Sequence, residues 1–200
     1  MSIPTIYFIR HGETEWNAAG RFQGWRDIPL NDRGRAQAAR SGDILSGLMS
    51  RRGHDPAGVS YVASPLGRAR ETMELMRGAL GVPPQNYIAD ERLREISYGH
   101  WEGLPVAEME AAHPDVFAAR KADKWGIAAP GGETYAAIAQ RLKDWVASLK
   151  QDTVAVAHSG TARALMVALG VEAAASAGDL LIEQGVVYVF AGGGVAKYAA

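Results

Sequence analysis

Two histidines in this 200-residue chain each lie just beyond a short apolar run, in a polar segment containing glycine. The run Ile6-Tyr7-Phe8-Ile9 leads into Arg10-His11-Gly12-Glu13-Thr14-Glu15-Trp16-Asn17. His158 ends Thr153-Val154-Ala155-Val156-Ala157 and is followed by Ser159-Gly160-Thr161. A third run, Val59 to Ala63, gives way to Ser64-Pro65 and then to Arg68. Neutral imidazole is a competent nucleophile near pH 7, and a planar guanidinium matches phosphate oxygens two at a time. Arg10, His11, Arg68 and His158 at strand ends therefore suggest transfer of a phosphoryl group to a histidine. Gly12 is expected to remove a side chain where a substrate comes close.

Other chemistries lack their spacing. There is no G-x-x-x-x-G-K-[ST] loop, complete G-x-G-x-x-G, H-E-x-x-H or G-x-S-x-G in the chain. Ser159 beside His158 is therefore a weak hydrolase signal. No metal site is expected on His11 and His158, because no carboxylate-rich ligand cluster accompanies them. With no cysteine there is no disulfide framework, thiolate metal site or thiol nucleophile.

The elements that must position these groups are legible from periodicity. β-branched and aromatic residues from Ile6 to Ile9 read as a strand buried on both faces, as in a parallel sheet covered by helices. Ligands bind outside the carboxyl ends of such strands. Asn31 and Asp32 are plausible caps for a helix to about Met49, with Ala38, Leu45 and Leu48 inward and Gly42 and Gly47 against it. Arg51 to Gly58 reads as a loop holding His54. Ser64-Pro65 reads as the N-cap and first residue of a helix burying Leu66, Ala69, Met73, Met76 and Leu80, with Arg68 in its first turn where an anion is favoured.

Leu93 to Gly103 has no clean period and reads as an irregular crossover. Pro105 opens a helix to about His113, Pro114 starts a second short one, and Lys121 to Pro130 reads as surface loop. Tyr135, Ile138, Leu142, Trp145, Val146 and Leu149 form the apolar face of a further helix. The helix after His158 buries Leu165, Met166 and Leu169 and stops near Gly170. Gly185 to Ala191 and Val195 to Ala199, around Gly192-Gly193-Gly194, predict an antiparallel hairpin. The fold expected is one α/β domain over residues 1–200, a three-layer α/β/α arrangement with a mostly parallel central sheet and that C-terminal hairpin.

Twenty-one Lys and Arg against 22 Asp and Glu give a net charge of −1, which supplies no global field for nucleic acid or an anionic membrane. Any attraction for an anion must be local. Met1-Ser2 leads into the first strand without a basic n-region, and no stretch approaches a membrane span, so a cytoplasmic protein is expected. The expected partner is a small phosphorylated metabolite, with neither nucleic acid nor membrane. Oligomeric state has no signature in the sequence.

Taken together, these blocks resemble the histidine phosphatase superfamily, also called phosphoglycerate mutase-like proteins. The resemblance is carried by Arg10 to Asn17, Arg21-Phe22-Gln23-Gly24-Trp25, Ser64 to Ala69, Leu93-Arg94-Glu95, Tyr98 to Gly103, Gly131-Gly132-Glu133 and His158-Ser159-Gly160. It implies a phosphoglycerate mutase-like fold, with His11 as the phosphorylated nucleophile and Arg10, Arg68 and His158 as a clamp on the phosphoryl oxygens. It further implies Glu95 as the proton donor, Asn17, Gln23, Gly24 and Ser159 as substrate-binding residues, and no cofactor. Glu13, Glu102 and Glu133 lie near matched motifs and stay open as alternative acids. His100 reads as a pocket-wall residue, His54 and His113 as surface or helix-end residues, and Lys121 and Lys124 as solvated.

The function implied is a metal-independent phosphomonoester phosphatase working through phosphohistidine. The alternatives are a 2,3-bisphosphoglycerate-dependent mutase and a catalytically silent phosphate-ligand binding protein. Family mutases carry a longer insert after the Glu95 region, with paired arginines for the substrate carboxylate. Here Arg120-Lys121 is the one adjacent basic pair there, and Gln23 stands where mutases usually have threonine. Tyr98-Gly99 resembles the mutase pattern. The substrate is expected to be set by Leu104 to Pro130, which carries no readable motif.

Overall fold

The computed structural model describes residues 3–199, so Met1 and Ser2, part of the expectation about targeting, lie outside the described residues. The chain begins with β1 (Ile6–Arg10), a single turn α1 (Glu15–Ala18) and the long α2 (Asp32–Arg52). Next come β2 (Ser60–Ala63), α3 (Gly67–Ala79), a two-residue β3 (Ile88–Ala89), and the short pair α4 (Val106–Ala112) and α5 (Pro114–Ala122). The last third holds α6 (Tyr135–Ser148), β4 (Thr153–Ala157), α7 (Ser159–Ala168), α8 (Ala174–Ala177), β5 (Val187–Ala191) and β6 (Gly194–Tyr198).

One six-stranded sheet runs in the order β3-β2-β4-β1-β5-β6. Its first four members are mutually parallel, whereas β5 is antiparallel to both β1 and β6. Alternation along β1 divides the interior in two. Ile6 and Phe8 face a core built with Ala155, Ala157, Leu142, Trp145 and Leu165, which covers that side with α6 and α7. Tyr7 and Ile9 face Leu45, Met49, Met73 and Met76 of α2 and α3 on the other side. The three expected layers are present, and the near-continuous apolar strands follow from burial on both faces.

Asn31 caps α2 by accepting from the Gly34 N–H, and Gly53 at φ 67° ends it three residues beyond the expected stop. Gly42 belongs inside α2 because a Cβ there would meet the Met76 carbonyl oxygen at 2.6 Å where α3 crosses. The start of α3 departs from expectation. Leu66, not Ser64, holds the N-cap position and makes no side-chain cap. Ser64 is held at the end of β2, where its N–H bonds the Val156 carbonyl at 2.9 Å and its hydroxyl is drawn elsewhere. β3 and α8 were not foreseen, being too short for a period to register. Among the described residues no helix is long and apolar enough to cross a membrane.

Candidate active site

Strand register brings the two histidines together. Arg10 pairs with Ala157, so β1 and β4 each release a histidine at the same height, and the His11 N–H bonds the Ala157 carbonyl at 2.9 Å. The two imidazole centroids lie 5.1 Å apart. Ala63 of β2 pairs with Val156, which sets Ser64 beside His158, and Ser64 Oγ lies 2.7 Å from His158 Nε2.

Hydrogen bonding assigns the tautomer of His11. Its Nδ1 is 2.7 Å from the Gly12 carbonyl oxygen, which can only accept, so the proton sits on Nδ1 and the Nε2 lone pair is left uncommitted. Burial first, then the Arg68 and Arg10 charges, hold the His11 imidazole well below its ordinary pKa. His158 is lowered likewise by burial, by Arg68, by His11 and by Arg10. Both rings are therefore neutral at pH 7.

Arg68 is 1% exposed in the first turn of α3 and is fixed by two backbone carbonyls. Its Nη1 donates to Arg26 O at 2.7 Å and its Nη2 to Gly24 O at 2.8 Å. Gly24 adopts φ 51°, which turns the 23–26 loop under this side chain. Arg10 donates from Nη1 to Ile182 O at 2.7 Å, and burial pulls its guanidinium down to about 10, still a cation at neutral pH. Arg10 Nε, Arg68 Nε and His158 Nδ1 are buried without a partner, as is Gln23 Oε1. Uncompensated buried polar atoms are costly, and the two guanidinium N–H donors among them, at one cleft, suit an oxyanion.

Glu95 is 6% exposed and its carboxylate sits over the start of α7. Oε1 accepts from Ile96 N at 3.0 Å and Thr161 N at 3.2 Å, and Oε2 accepts from Gly160 N at 3.3 Å with Ser159 Oγ at 3.5 Å. Gly160 has to be glycine for this approach, since a Cβ would meet Glu95 Oε1 at 2.5 Å. The alternative acids do not line the cleft that Glu95 lines. Glu13 bonds Asn31 and pairs with Arg33, and Glu133 bonds Ser97 N and Arg141. Glu102 Oε1 accepts from Trp25 N and Tyr98 N, tying the 23–26 loop to the segment after Glu95.

A cleft of about 230 Å³ opens over these groups. Arg10, His11, Asn17, Gln23, Gly24, Arg68, Glu95 and Ser159 all line it, so eight of the nine residues singled out in the sequence share one cavity. The ninth, His158, is fully buried beside His11 and is not part of the lining. Arg10, Arg21, Arg68 and Arg163 line it against a single carboxylate, Glu95. The nearly neutral chain thus concentrates positive charge at one place.

Gly12 is corrected. A Cβ there would meet the Gly34 carbonyl oxygen at 2.1 Å, so the glycine is required by the first turn of α2 and not by a substrate. His100 lines neither this cleft nor the neighbouring cavity, and stands near His113 at a 6.4 Å centroid distance. Lys121 and Lys124, expected in solvated loop, line that neighbouring cavity, and Lys121 belongs to α5. Arg163 was missed. Its signal was available, because it stands four residues after Ser159 and so shares that residue's face of α7. Ile182, whose carbonyl holds Arg10, comes from an irregular segment without a pattern. Among the described residues no cluster of three or more histidine or acidic side chains could hold a metal.

This arrangement, histidines at the ends of neighbouring parallel strands with arginines around them, belongs to a known class: residues 6–191 match the histidine phosphatase superfamily (branch 1), and the chain is a member of it. Its relatives include both phosphatases and mutases. It is 33% identical over 182 residues to a glucosyl-3-phosphoglycerate phosphatase of Mycolicibacterium vanbaalenii, covering 84% of this chain and 75% of the relative. It is 30% identical over 171 residues to a 2,3-bisphosphoglycerate-dependent phosphoglycerate mutase 2 of Gloeobacter violaceus, covering 82% and 74%. Among solved structures, Bacillus stearothermophilus YhfR superposes with a TM-score of 0.76 at 30% identity, covering 96% of this chain and 94% of that one.

Proposed function

We propose that the protein is a metal-independent phosphomonoester phosphatase acting through a phosphohistidine on His11. The observation that carries this reading is the uncommitted Nε2 of a neutral His11 in a cleft lined by four arginines and one carboxylate.

Nε2 of His11 attacks phosphorus, the ester P–O bond breaks, and its electron pair leaves on the alcohol oxygen. Glu95 serves as the general acid, giving that oxygen a proton and releasing the free alcohol. Arg10 and Arg68 spread the charge of the transferring group over its equatorial oxygens, where one such donor is worth ~10²–10³ in rate. We assign the Ser64 hydroxyl proton to its 2.7 Å contact with His158 Nε2, which leaves His158 with an N–H at Nδ1. The His158 ring centre is 5.1 Å from that of His11, so this donor comes within reach of the phosphoryl group once that group sits on His11 Nε2. Glu95 then takes a proton from water, the hydroxide oxygen attacks phosphorus, the P–N bond breaks and inorganic phosphate leaves. Gln23 and Asn17 border the same cleft, and Asn17 is steadied by Thr14 and Gln184.

Hydrolysis is favoured over isomerisation because the cleft mouth is open: Gly20 and Arg21 are exposed and Leu181 is 76% exposed, so water has a path to the phosphohistidine. The short segment between Leu104 and Pro130 and the presence of Gln23 support the same choice. The test incubates the enzyme with 3-phosphoglycerate and a trace of 2,3-bisphosphoglycerate, and separately with simple phosphomonoesters. Phosphate release from the monoesters with negligible 2-phosphoglycerate is expected. Efficient 2-phosphoglycerate formation with little phosphate would overturn the reading in favour of a mutase, and no turnover of any kind would favour a silent binding protein.

A further inference from the structure

Beside the catalytic cleft lies a second cavity of about 480 Å³, roughly twice its volume. The two meet at Phe22, Tyr98 and Arg163, which line both. Beyond that junction Trp101, Met109 and Phe117 supply the walls, with Trp101 and Phe117 rings 6.0 Å apart and Phe22 edge-on to Tyr98 at 4.7 Å. The cations around these walls are largely committed. Arg120 is 8% exposed, bonds the Ile127 carbonyl, and lies 5.7 and 5.8 Å from the Tyr98 and Tyr135 ring centres. Arg163 donates to Leu180 O and Tyr135 Oη, and Lys124 is paired with Asp179. What the chamber offers a ligand is chiefly aromatic and aliphatic surface.

Resting on the phosphatase reading, we propose that this chamber receives the leaving group, and that the substrate is the phosphate monoester of a bulky, ring-bearing, largely apolar alcohol. A three-carbon polyol on the phosphate would leave most of these walls facing water. A ring-sized body would remove them from it, and apolar area taken out of water is what such a pocket converts into affinity. The inserted helices α4 and α5 supply Met109 and Phe117, so the segment that carries no sequence motif acts through its shape.

The experiment compares ethyl phosphate, 2-phenylethyl phosphate and 2-(2-naphthyl)ethyl phosphate, primary alkyl esters whose leaving oxygens are similar and whose bodies differ. The wild-type kcat/KM is expected to rise by about 10- to 100-fold across the series, the range that burying one or two rings provides. Met109→Trp, which fills the chamber, should cancel the rise, so that the naphthyl ester is turned over no faster than ethyl phosphate. Phe117→Ala, which removes a wall and serves if Met109→Trp does not fold, should reduce the rise. Equal kcat/KM across the series in the wild type would overturn this inference and leave the phosphatase reading standing. Absence of phosphate release from every ester would instead overturn that reading, and the inference with it.

Discussion

The backbone N–H of Gly12 donates to Thr72 Oγ1 at 3.0 Å, and the same hydroxyl donates to the Arg68 carbonyl at 2.7 Å. One buried side chain therefore couples the loop after His11 to the first turn of the helix that carries Arg68. Thr72→Val keeps the shape and removes both bonds, leaving a buried N–H unsatisfied at a cost of about 1–3 kcal/mol. Urea unfolding should show that loss, with kcat falling more than KM rises because the nucleophile and its clamp lose their shared support. A variant of unchanged stability and rate would deny Thr72 this role.

Glu95 should matter most when the leaving group is poor. Glu95→Gln is expected to slow an alkyl phosphate by ~10²–10⁴ and an activated aryl phosphate far less, since an aryl oxide leaves with little protonation. Gly160→Ala should show the same selectivity in weaker form, because its methyl group displaces the Glu95 carboxylate without removing it. Equal losses on both ester types would reassign the acid.

Ser64→Ala removes the partner of His158 Nε2 and nothing in the cleft itself. It should lower kcat by about tenfold or more on every ester alike, since the imidazole loses the contact that sets its tautomer. Ser64→Thr, which keeps the hydroxyl, should recover most of the rate. A wild-type rate in Ser64→Ala would remove His158 Nδ1 from the mechanism.

What the sequence disclosed, and what it hid, divides along physical lines. β1 and β4 were legible because a strand buried on both faces is an unbroken apolar run, and its end is marked by the first polar residue. The helices after them were legible from their period. Ser64 was misread because serine before proline is a good local cap, yet the register of β2 with β4 offers its hydroxyl a buried imidazole instead. Gly12 was misread because a close approach has no direction in sequence; the neighbour turned out to be Gly34. His158 and His11 look equivalent in sequence, whereas the structure puts His11 in the cleft lining and buries His158 beside it. The larger chamber is assembled from aromatic and aliphatic residues of five separate segments, a convergence that no local pattern encodes.

The two neutral histidines should leave a mark on stability. Burial and the neighbouring arginines lower both pKa values in the folded chain, while the unfolded chain keeps about 6.5. As pH falls below 6.5 the unfolded state binds protons that the native state does not, so stability drops on the acid side, at up to about 3 kcal/mol per pH unit for the pair. Above pH 7 their contribution is flat. Urea midpoints from pH 5 to 8 for the wild type and for His11→Asn/His158→Asn should differ in this acid slope, the double variant being flatter, and imidazole NMR shifts should show both rings unprotonated at pH 6.5. Rings that titrate near 6.5 in the native state would contradict the electrostatic account of the cleft.

The most direct test of the whole account is to trap the covalent intermediate. Wild-type enzyme is mixed with a ³²P-labelled phosphomonoester, quenched in alkaline denaturant within milliseconds, digested and mapped. The account predicts an acid-labile, base-stable label on the peptide containing His11, formed as fast as turnover requires and absent from His11→Ala, which should also be inactive. Near wild-type turnover in His11→Ala, or a label that maps to any other residue, would contradict it.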